Sequence, residues 1–382
     1  MKIVTWMSVL TEHQAHTYRE LEVLSGEPVE YVLGAREIQE RRLQGWTELG
    51  LSGLSVHDLP NHGWWQFGKK LIAQYPEAVH IFNGMWGDRR FFPLLVYAQG
   101  RGVRTCLVTE PYADSVVSYF SENTSLLDRI KFAVRPWMYK VAGSILARRM
   151  SAVFAISSKA VNQFRAMGFE GERVFPFGYF VPPAIYHDVA DLPCDVSAAL
   201  RLVFVGSLIE RKGLTTLLEA MKLCHDSNVH VLLDVYGPGS PPGPEAIPPG
   251  VELRGVVSFG QVQSVVRNYD VLVLPSLHDG WGVVVNEALL QGVPVIVSDA
   301  VGARTLVEKS GAGALFVASD SDGLARVISD LAEAPQLLEQ WRKAAADFQH
   351  QLSPETAANY LYDCLLFVSG TSKDKPDAQW YV

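Results

Sequence analysis

The sequence predicts an α/β protein built from two doubly wound parallel sheets, and three observations predict it. Short apolar runs alternate with stretches of helical period from Lys2 to Ile156, the spacing that builds a parallel sheet covered on both faces. Phe175 to Ala184, dense in proline and aromatic residues, breaks the alternation, which restarts at Arg201. Leu272 to Asp299 reads as strand, tight loop, helix and strand, half of a doubly wound unit.

In the first half, Lys2 to Val9 is the first expected strand and Gln14 to Leu24 the helix after it. Further strands are expected at Val29 to Leu33, Val79 to Phe82, Val103 to Thr109 and Ala152 to Ile156, with helices such as Trp64 to Gln74 and Phe91 to Gln99 between them. No G-x-G-x-x-G appears, so dinucleotide binding is not supported. Glu110, Pro111 and Tyr112 follow the strand that ends at Thr109. A carboxylate there either orients a hydroxyl and stabilises growing positive charge, or caps a neighbouring turn.

Leu126 to Met150 is a long helical stretch carrying Arg129, Lys131, Arg135, Lys140, Arg148 and Arg149 against one acid, Asp128. With Phe132, Trp137, Met138 and Tyr139 interleaved, it either lies on an anionic membrane surface or forms a partly buried helix with a solvated basic face. Pro136 would interrupt a clean amphipathic surface. Phe175 to Ala184 has no helical period and reads as the linker between halves.

The second half opens with a strand at Arg201 to Val205, a loop from Gly206 to Gly213 and a helix from Leu214 to Leu223. Val229 to Tyr236 is a buried strand ending in Gly237-Pro238-Gly239, and the Pro-rich run to Pro249 opens no helix. Val251 to Val256 is a short strand. In Leu272 to Asp299, Pro275 and the glycines stop the strand, so the loop sits at its carboxyl end and the next helix starts with its N–H groups aimed above the sheet. Open α/β sheets bind ligands there, and a helix N-terminus suits an anion. Asp279 and Glu287 bracket this corner. A carboxylate beside a phosphate is no phosphate ligand, so each is read as accepting from hydroxyls; the alternative is a surface Asp and an ordinary helix Glu. Asp320-Ser321-Asp322 precedes the helix Gly323 to Leu331, so N-capping explains it and no metal is implied. Pro335 to His350 and Pro354 to Val368 are two closing helices, and residues 371–382 are expected as a flexible polar tail.

Composition bounds the function. A chain of 382 residues has room for two or three domains. With 48% apolar and 19% charged residues it is an ordinary globular protein, and a net charge of −8 argues against nucleic-acid binding by overall attraction. Cys106, Cys194, Cys224 and Cys364 form no C-x-x-C pair and read as reduced thiols. Met1 to Leu10 is read as a strand rather than a signal peptide, and no run approaches the roughly 18 apolar residues of a membrane span. A cytoplasmic location is expected.

Pro275-Ser276, Asp279-Gly280-Trp281-Gly282-Val283, Glu287-Ala288 and Gly292-Val293-Pro294-Val295 fit P-S-x-x-[ED]-G-[FW]-G-x-x-x-x-E-A followed by G-x-P-V. This resembles the retaining glycosyltransferases of family 4, in most of which the first acid is Glu rather than Asp. The resemblance implies the GT-B fold: an acceptor-binding domain over 1–180, a donor-binding domain over 185–353, a cleft between them, and a last helix, about 354–370, crossing back onto the first domain. It also implies a UDP- or GDP-sugar donor, a saccharide or lipid-linked saccharide acceptor, retention at the anomeric carbon, and a role in cell-surface polysaccharide or glycolipid synthesis, with peripheral contact at the inner face of the membrane.

Residue by residue, the resemblance places Lys212 and Glu287 on the donor, Asp279 on the transferred sugar, and Gly206, Ser207, Gly237, Gly280, Trp281, Gly282 and Val283 around it. Ser207 stands where the family's G-R-L-x-x-x-K-G loop has Arg, and Arg211 is expected to supply that guanidinium. Gly255 and Val256 would flank the nucleobase, and Asp299 to Arg304 would lie over the donor. On the acceptor side stand His13, Gln14, Glu110 and Tyr112, although the loop Ser8 to His16 has no glycine and its side chains are equally readable as solvated surface. The leaving phosphate is expected to take the acceptor's proton, with no cofactor and no metal. Two alternatives stay open: a nucleotide-sugar epimerase using Asp279, Glu110 and His13, or a non-catalytic nucleotide-sugar-binding protein, for which Ser207 and the glycine-poor first loop are the signs.

Overall fold

The computed structural model describes residues 1–36, 53–112, 126–184 and 199–382, without the side chains of residues 126–129, 131, 132 and 259. Cys194, the start of the expected second domain and the side chains of Asp128, Arg129, Lys131 and Phe132 lie outside the described residues.

Residues 1–184 supply a seven-stranded sheet, with strands β1 (Ile3–Met7), β2 (Glu30–Leu33), β3 (Ser55–Asp58), β4 (Val79–Asn83), β5 (Arg104–Thr109), β6 (Ala152–Ile156) and β7 (Val174–Phe177) in the order 3-2-1-4-5-6-7. Every pairing is parallel. Helices α1 (Glu12–Ser25), α2 (Trp64–Gln74), α3 (Phe91–Gly100), α4 (Leu126–Leu146) and α5 (Ser158–Ala166) accompany it. All five residues of β1 and of β6 are buried, which is why these strands read as continuous apolar runs rather than alternating ones.

A six-stranded parallel sheet follows, with β8 (Leu200–Val205), β9 (Val231–Tyr236), β10 (Val251–Gly255), β11 (Val271–Leu274), β12 (Val295–Ser298) and β13 (Gly313–Phe316) in the order 10-9-8-11-12-13. Its helices are α6 (Leu214–Asp226), α7 (Val262–Val266), α8 (Val283–Leu289), α9 (Arg304–Ser310), α10 (Ser321–Glu333) and α11 (Pro335–Phe348). The last helix, α12 (Pro354–Val368), returns to pack along α1 of the first domain. Strand order reverses between β1 and β4 in one sheet and between β8 and β11 in the other, and such switch points are where crevices open at the strands' carboxyl ends.

One apolar core runs from the first domain through the linker into the second, taking in Phe177, Phe180, Trp281, Tyr360 and Trp380. Separate clusters fill the outer face of each sheet. Asp320 caps α10 by accepting from Gly323 N at 2.8 Å, as expected of the D-x-D.

Several details depart from the sequence reading. The expected linker begins as a strand: β7 pairs with β6 at the sheet edge, where Pro176 costs no ladder bond on its open side. The tail after Gly370 is not loose, because Trp380 is fully buried, its ring 4.6 Å from that of Phe180 and 5.1 Å from that of Tyr360. Helix α4 runs continuously through Pro136. Short elements such as β3 and β13 went unanticipated.

Candidate functional site

The loop after β8 places Lys212, and the loop after β11 places Asp279. Both strands flank the switch point, so the two loops meet. Gly213 makes this possible: it adopts φ 69° at the start of α6, and a Cβ there would overlap the carbonyl oxygen of Pro275. Lys212 Nζ donates to Asp279 Oδ2 at 2.6 Å, and Ser276 Oγ lies 3.4 Å from the same oxygen. Arg211 Nη1 donates to the carbonyl of His278 at 3.0 Å and stands 4.0 Å from Asp279 Oδ1. Burial works to raise the Asp279 pKa, but the charges of Lys212 and Arg211 overcome it and hold the carboxyl below its usual range.

Glu287 sits in the second turn of α8, 5% exposed. Burial, and after it the carboxylate of Glu12, pushes its pKa up to about 8. The two acids of one motif are thus held in opposite states near neutral pH. Helix α8 is seven residues long, so its N-terminus offers a few aligned N–H groups and the two cations dominate the local field.

Lys212, Arg211, Asp279 and Glu287 line one cavity of about 550 Å³ between the two domains. Gly206, Ser207, Gly237, Gly280, Trp281, Gly282 and Val283 line it from the second domain, and His13, Gln14 and Glu110 from the first. Gly237 lies so close to Gly206 that a Cβ would overlap the Gly206 carbonyl oxygen. Glu110 accepts from Tyr179 Oη at 3.0 Å and reaches Gly280 so closely that a Cβ on that glycine would overlap its carboxylate. The Tyr179 ring lies 4.4 Å from that of His13, which is itself buried with Nε2 3.1 Å from Thr11 Oγ1.

Three expectations land elsewhere. Gly255 and Val256 are outside the cavity lining, where Val257 and Val262 stand instead; Val256 is exposed and Gly255 is engaged by Gly237 N through its carbonyl. Trp281 keeps its place in the cavity lining; its indole is buried, packed on Gly178 of the linker, with Nε1 donating to Asn286 at 2.8 Å, and so braces the domains. The loop from Asp299 to Arg304 supports the acidic loop by backbone bonds, Gly302 N to Asp279 O at 3.0 Å and Ala303 N to Trp281 O at 2.7 Å. Tyr112 belongs to a neighbouring cavity of about 350 Å³, which Gln14, Glu110 and Tyr179 also line. These three residues form the wall between the two cavities.

Sequence reasoning missed Tyr179, Thr11 and His278 as lining residues. For Tyr179 a signal existed in its place within the linker between the two domains, next to the cleft they form.

Residues 199–334 match the family model described as glycosyl transferases group 1. The chain is 23% identical over 296 residues to the alpha-D-kanosaminyltransferase of Streptomyces kanamyceticus, covering 73% of this chain and 74% of that protein. It is 25% identical over 298 residues to the phosphatidyl-myo-inositol mannosyltransferase of Mycobacterium leprae, covering 73% and 75%. Among solved structures, HepE of Anabaena in complex with UDP superposes with a TM-score of 0.69 at 17% identity, over 96% of this chain and 99% of that one.

Proposed function

We propose that this chain, whose residues 199–334 match the group 1 glycosyl transferases and whose two facing parallel-sheet domains have the GT-B fold, is a glycosyltransferase that moves a sugar from a UDP- or GDP-sugar to a saccharide or lipid-linked saccharide, with retention of anomeric configuration. The observation that carries the reading is that Lys212, Asp279 and Glu287 line one interdomain cavity whose opposite wall holds Glu110.

In this reading the bond between the anomeric carbon and the diphosphate oxygen breaks as the bond to the acceptor oxygen forms on the same face. The acceptor's proton passes to the leaving phosphate, so no protein base is assigned. Negative charge growing on the diphosphate is met by Lys212 and Arg211, cations fixed in place beforehand by Asp279 and the His278 carbonyl. The reading calls for no metal. Glu287 holds the ribose hydroxyls and Asp279 those of the transferred sugar, while Glu110, held by Tyr179, faces the ring where positive charge develops. HepE is also known in complex with UDP-glucose, which supports a nucleotide-sugar donor here, and the mannosyltransferase named for a phosphatidylinositol supports a lipid-linked acceptor in glycolipid or polysaccharide synthesis. Such an acceptor requires the protein to meet a membrane from the cytoplasmic side, and residues 126–150 are where this reading puts the contact.

Thermal shift of the full chain against UDP- and GDP-sugars, followed by release of the nucleotide diphosphate, tests the reading. Lys212→Ala and Glu287→Ala are each expected to lower turnover at least about tenfold; near-normal turnover in both refutes it.

A further inference from the structure

The cavity of about 350 Å³ beside the proposed transfer site opens at the switch point of the first sheet: Ser8 follows β1, Asn83 ends β4 with Trp86 just past it, and Glu110 follows β5. One wall is aromatic. The Trp86 ring is stacked on Phe92 with centroids 4.6 Å apart and stands edge-on to Tyr139 at 6.4 Å, and the Tyr139 ring lies 4.5 Å from that of Tyr112. Trp86 is nonetheless 39% exposed, so rings that brace one another still offer surface to a ligand. Such a wall suits the apolar C–H face of a sugar ring, whose hydroxyls reach polar groups at its rim.

Among the described residues that line this cavity, two carry charge, and they are segregated. Glu110, which accepts from Tyr179 Oη at 3.0 Å, belongs to the wall shared with the transfer cavity. Arg135 lines this cavity and not the transfer cavity. It comes from α4, one turn before Tyr139, and residues four apart share a helix face, so the guanidinium and the phenol ring enter together.

We propose that the acceptor is an anionic saccharide: its ring lies on the wall of Trp86 and Tyr139, its reacting hydroxyl meets Glu110 at the shared wall, and a phosphate or carboxylate elsewhere on it is held by Arg135. The proposal rests on the transferase reading for the direction of transfer, and adds to it the charge of the acceptor and the residue that reads it. The two charges set the orientation, because the reversed ligand would press its anion against Glu110. A guanidinium presents a planar fork that matches two oxygens of a phosphate or carboxylate, which a lone hydroxyl does not. The chain's net charge of −8 gives an anion no general attraction, so the preference must come from this local cation.

Isothermal titration of the full chain with glucose 6-phosphate, glucuronate and methyl glucoside tests it, with UDP or GDP present to fill the donor cavity. The two anionic sugars are expected to bind at least about tenfold more tightly than methyl glucoside; whichever of the two binds better identifies phosphate or carboxylate as the source of the charge. Arg135→Gln is expected to erase the preference and bring all three to one affinity. Arg135→Lys, which keeps the charge and loses the fork, is expected to keep part of it, an outcome that a merely structural arginine would not give. Trp86→Ala is expected to weaken all three by a similar factor. Equal binding of methyl glucoside by the wild type, a preference that survives Arg135→Gln, or no heat with any of the three sugars would each overturn the proposal. The thermal shift given by the nucleotide alone is read on the same samples, so a failed transferase reading and a failed acceptor proposal are distinguishable.

Discussion

Lys212 Nζ lies 2.6 Å from Asp279 Oδ2, and that single contact ties the loop after β8 to the loop after β11 across the point where strand order reverses. Both side chains are largely buried, at 16% and 11% exposure. A diphosphate that recruits Lys212 must therefore share it with a carboxylate already in place.

Removing the lysine leaves that carboxylate uncompensated. Lys212→Met is expected to cost about 3 kcal/mol of stability and most of the turnover. Adding Asp279→Asn should restore the thermal midpoint without restoring activity. Recovery of both together would mean that Lys212 acts only as a structural partner.

Glu287 gives the stability curve a slope on the alkaline side. A carboxyl whose pKa is raised from 4.5 to about 8 contributes stability that is fully present below its unfolded value and is lost as pH rises through the folded one. The thermal midpoint of the wild type is thus expected to fall relative to that of Glu287→Gln between about pH 5 and pH 9. Parallel midpoint curves for the two proteins would sink the assignment of a buried neutral acid. Asp279 works in the opposite sense, its lowered pKa giving stability that is lost only as pH falls through the acid range.

Tyr179→Phe separates the two sides of the cleft. Its hydroxyl donates to Glu110, and a hydrogen bond to a charged group accounts for roughly tenfold in binding or rate. The variant is expected to lose about that much in transfer while keeping the wild-type thermal shift with a UDP-sugar. A reduced shift would place Tyr179 on the donor instead.

Trp380→Ala should destabilise the whole protein by about 3 to 5 kcal/mol, the range for emptying a large buried aromatic site. Its ring packs against Phe177, Phe180 and Tyr360, so both the linker and α12 lose their filling. A denaturation midpoint equal to that of the wild type would show the pocket collapses without cost.

Much of this architecture is legible in the chain because buried parallel strands must be apolar on both faces, and β1, β4, β6, β8, β11 and β12 all announce themselves that way. The corner holding Asp279 and Glu287 is legible because Pro275 and Gly282 punctuate it. What escapes is set by long-range packing. Lys373, Asp374, Lys375 and Asp377 make the last segment look solvated, yet one tryptophan in it finds an aromatic hole formed by residues about 200 positions earlier. Val257 rather than Val256 faces the cavity, because β10 ends at Gly255 and the chain beyond it no longer follows the strand's alternation. On α4 the interleaved aromatic and basic residues are legible in the sequence, but which face packs inward is not, because only burial distinguishes an inward stripe from an outward one.

The return of α12 onto α1 has a consequence for how the molecule is made. The ribosome emits α1 roughly 340 residues before α12, so the first domain cannot complete its helical layer until that much more chain has been made. Until then the flank of α1 that α12 covers stays open to water and to other nascent chains, and final assembly joins two helices far apart in the chain.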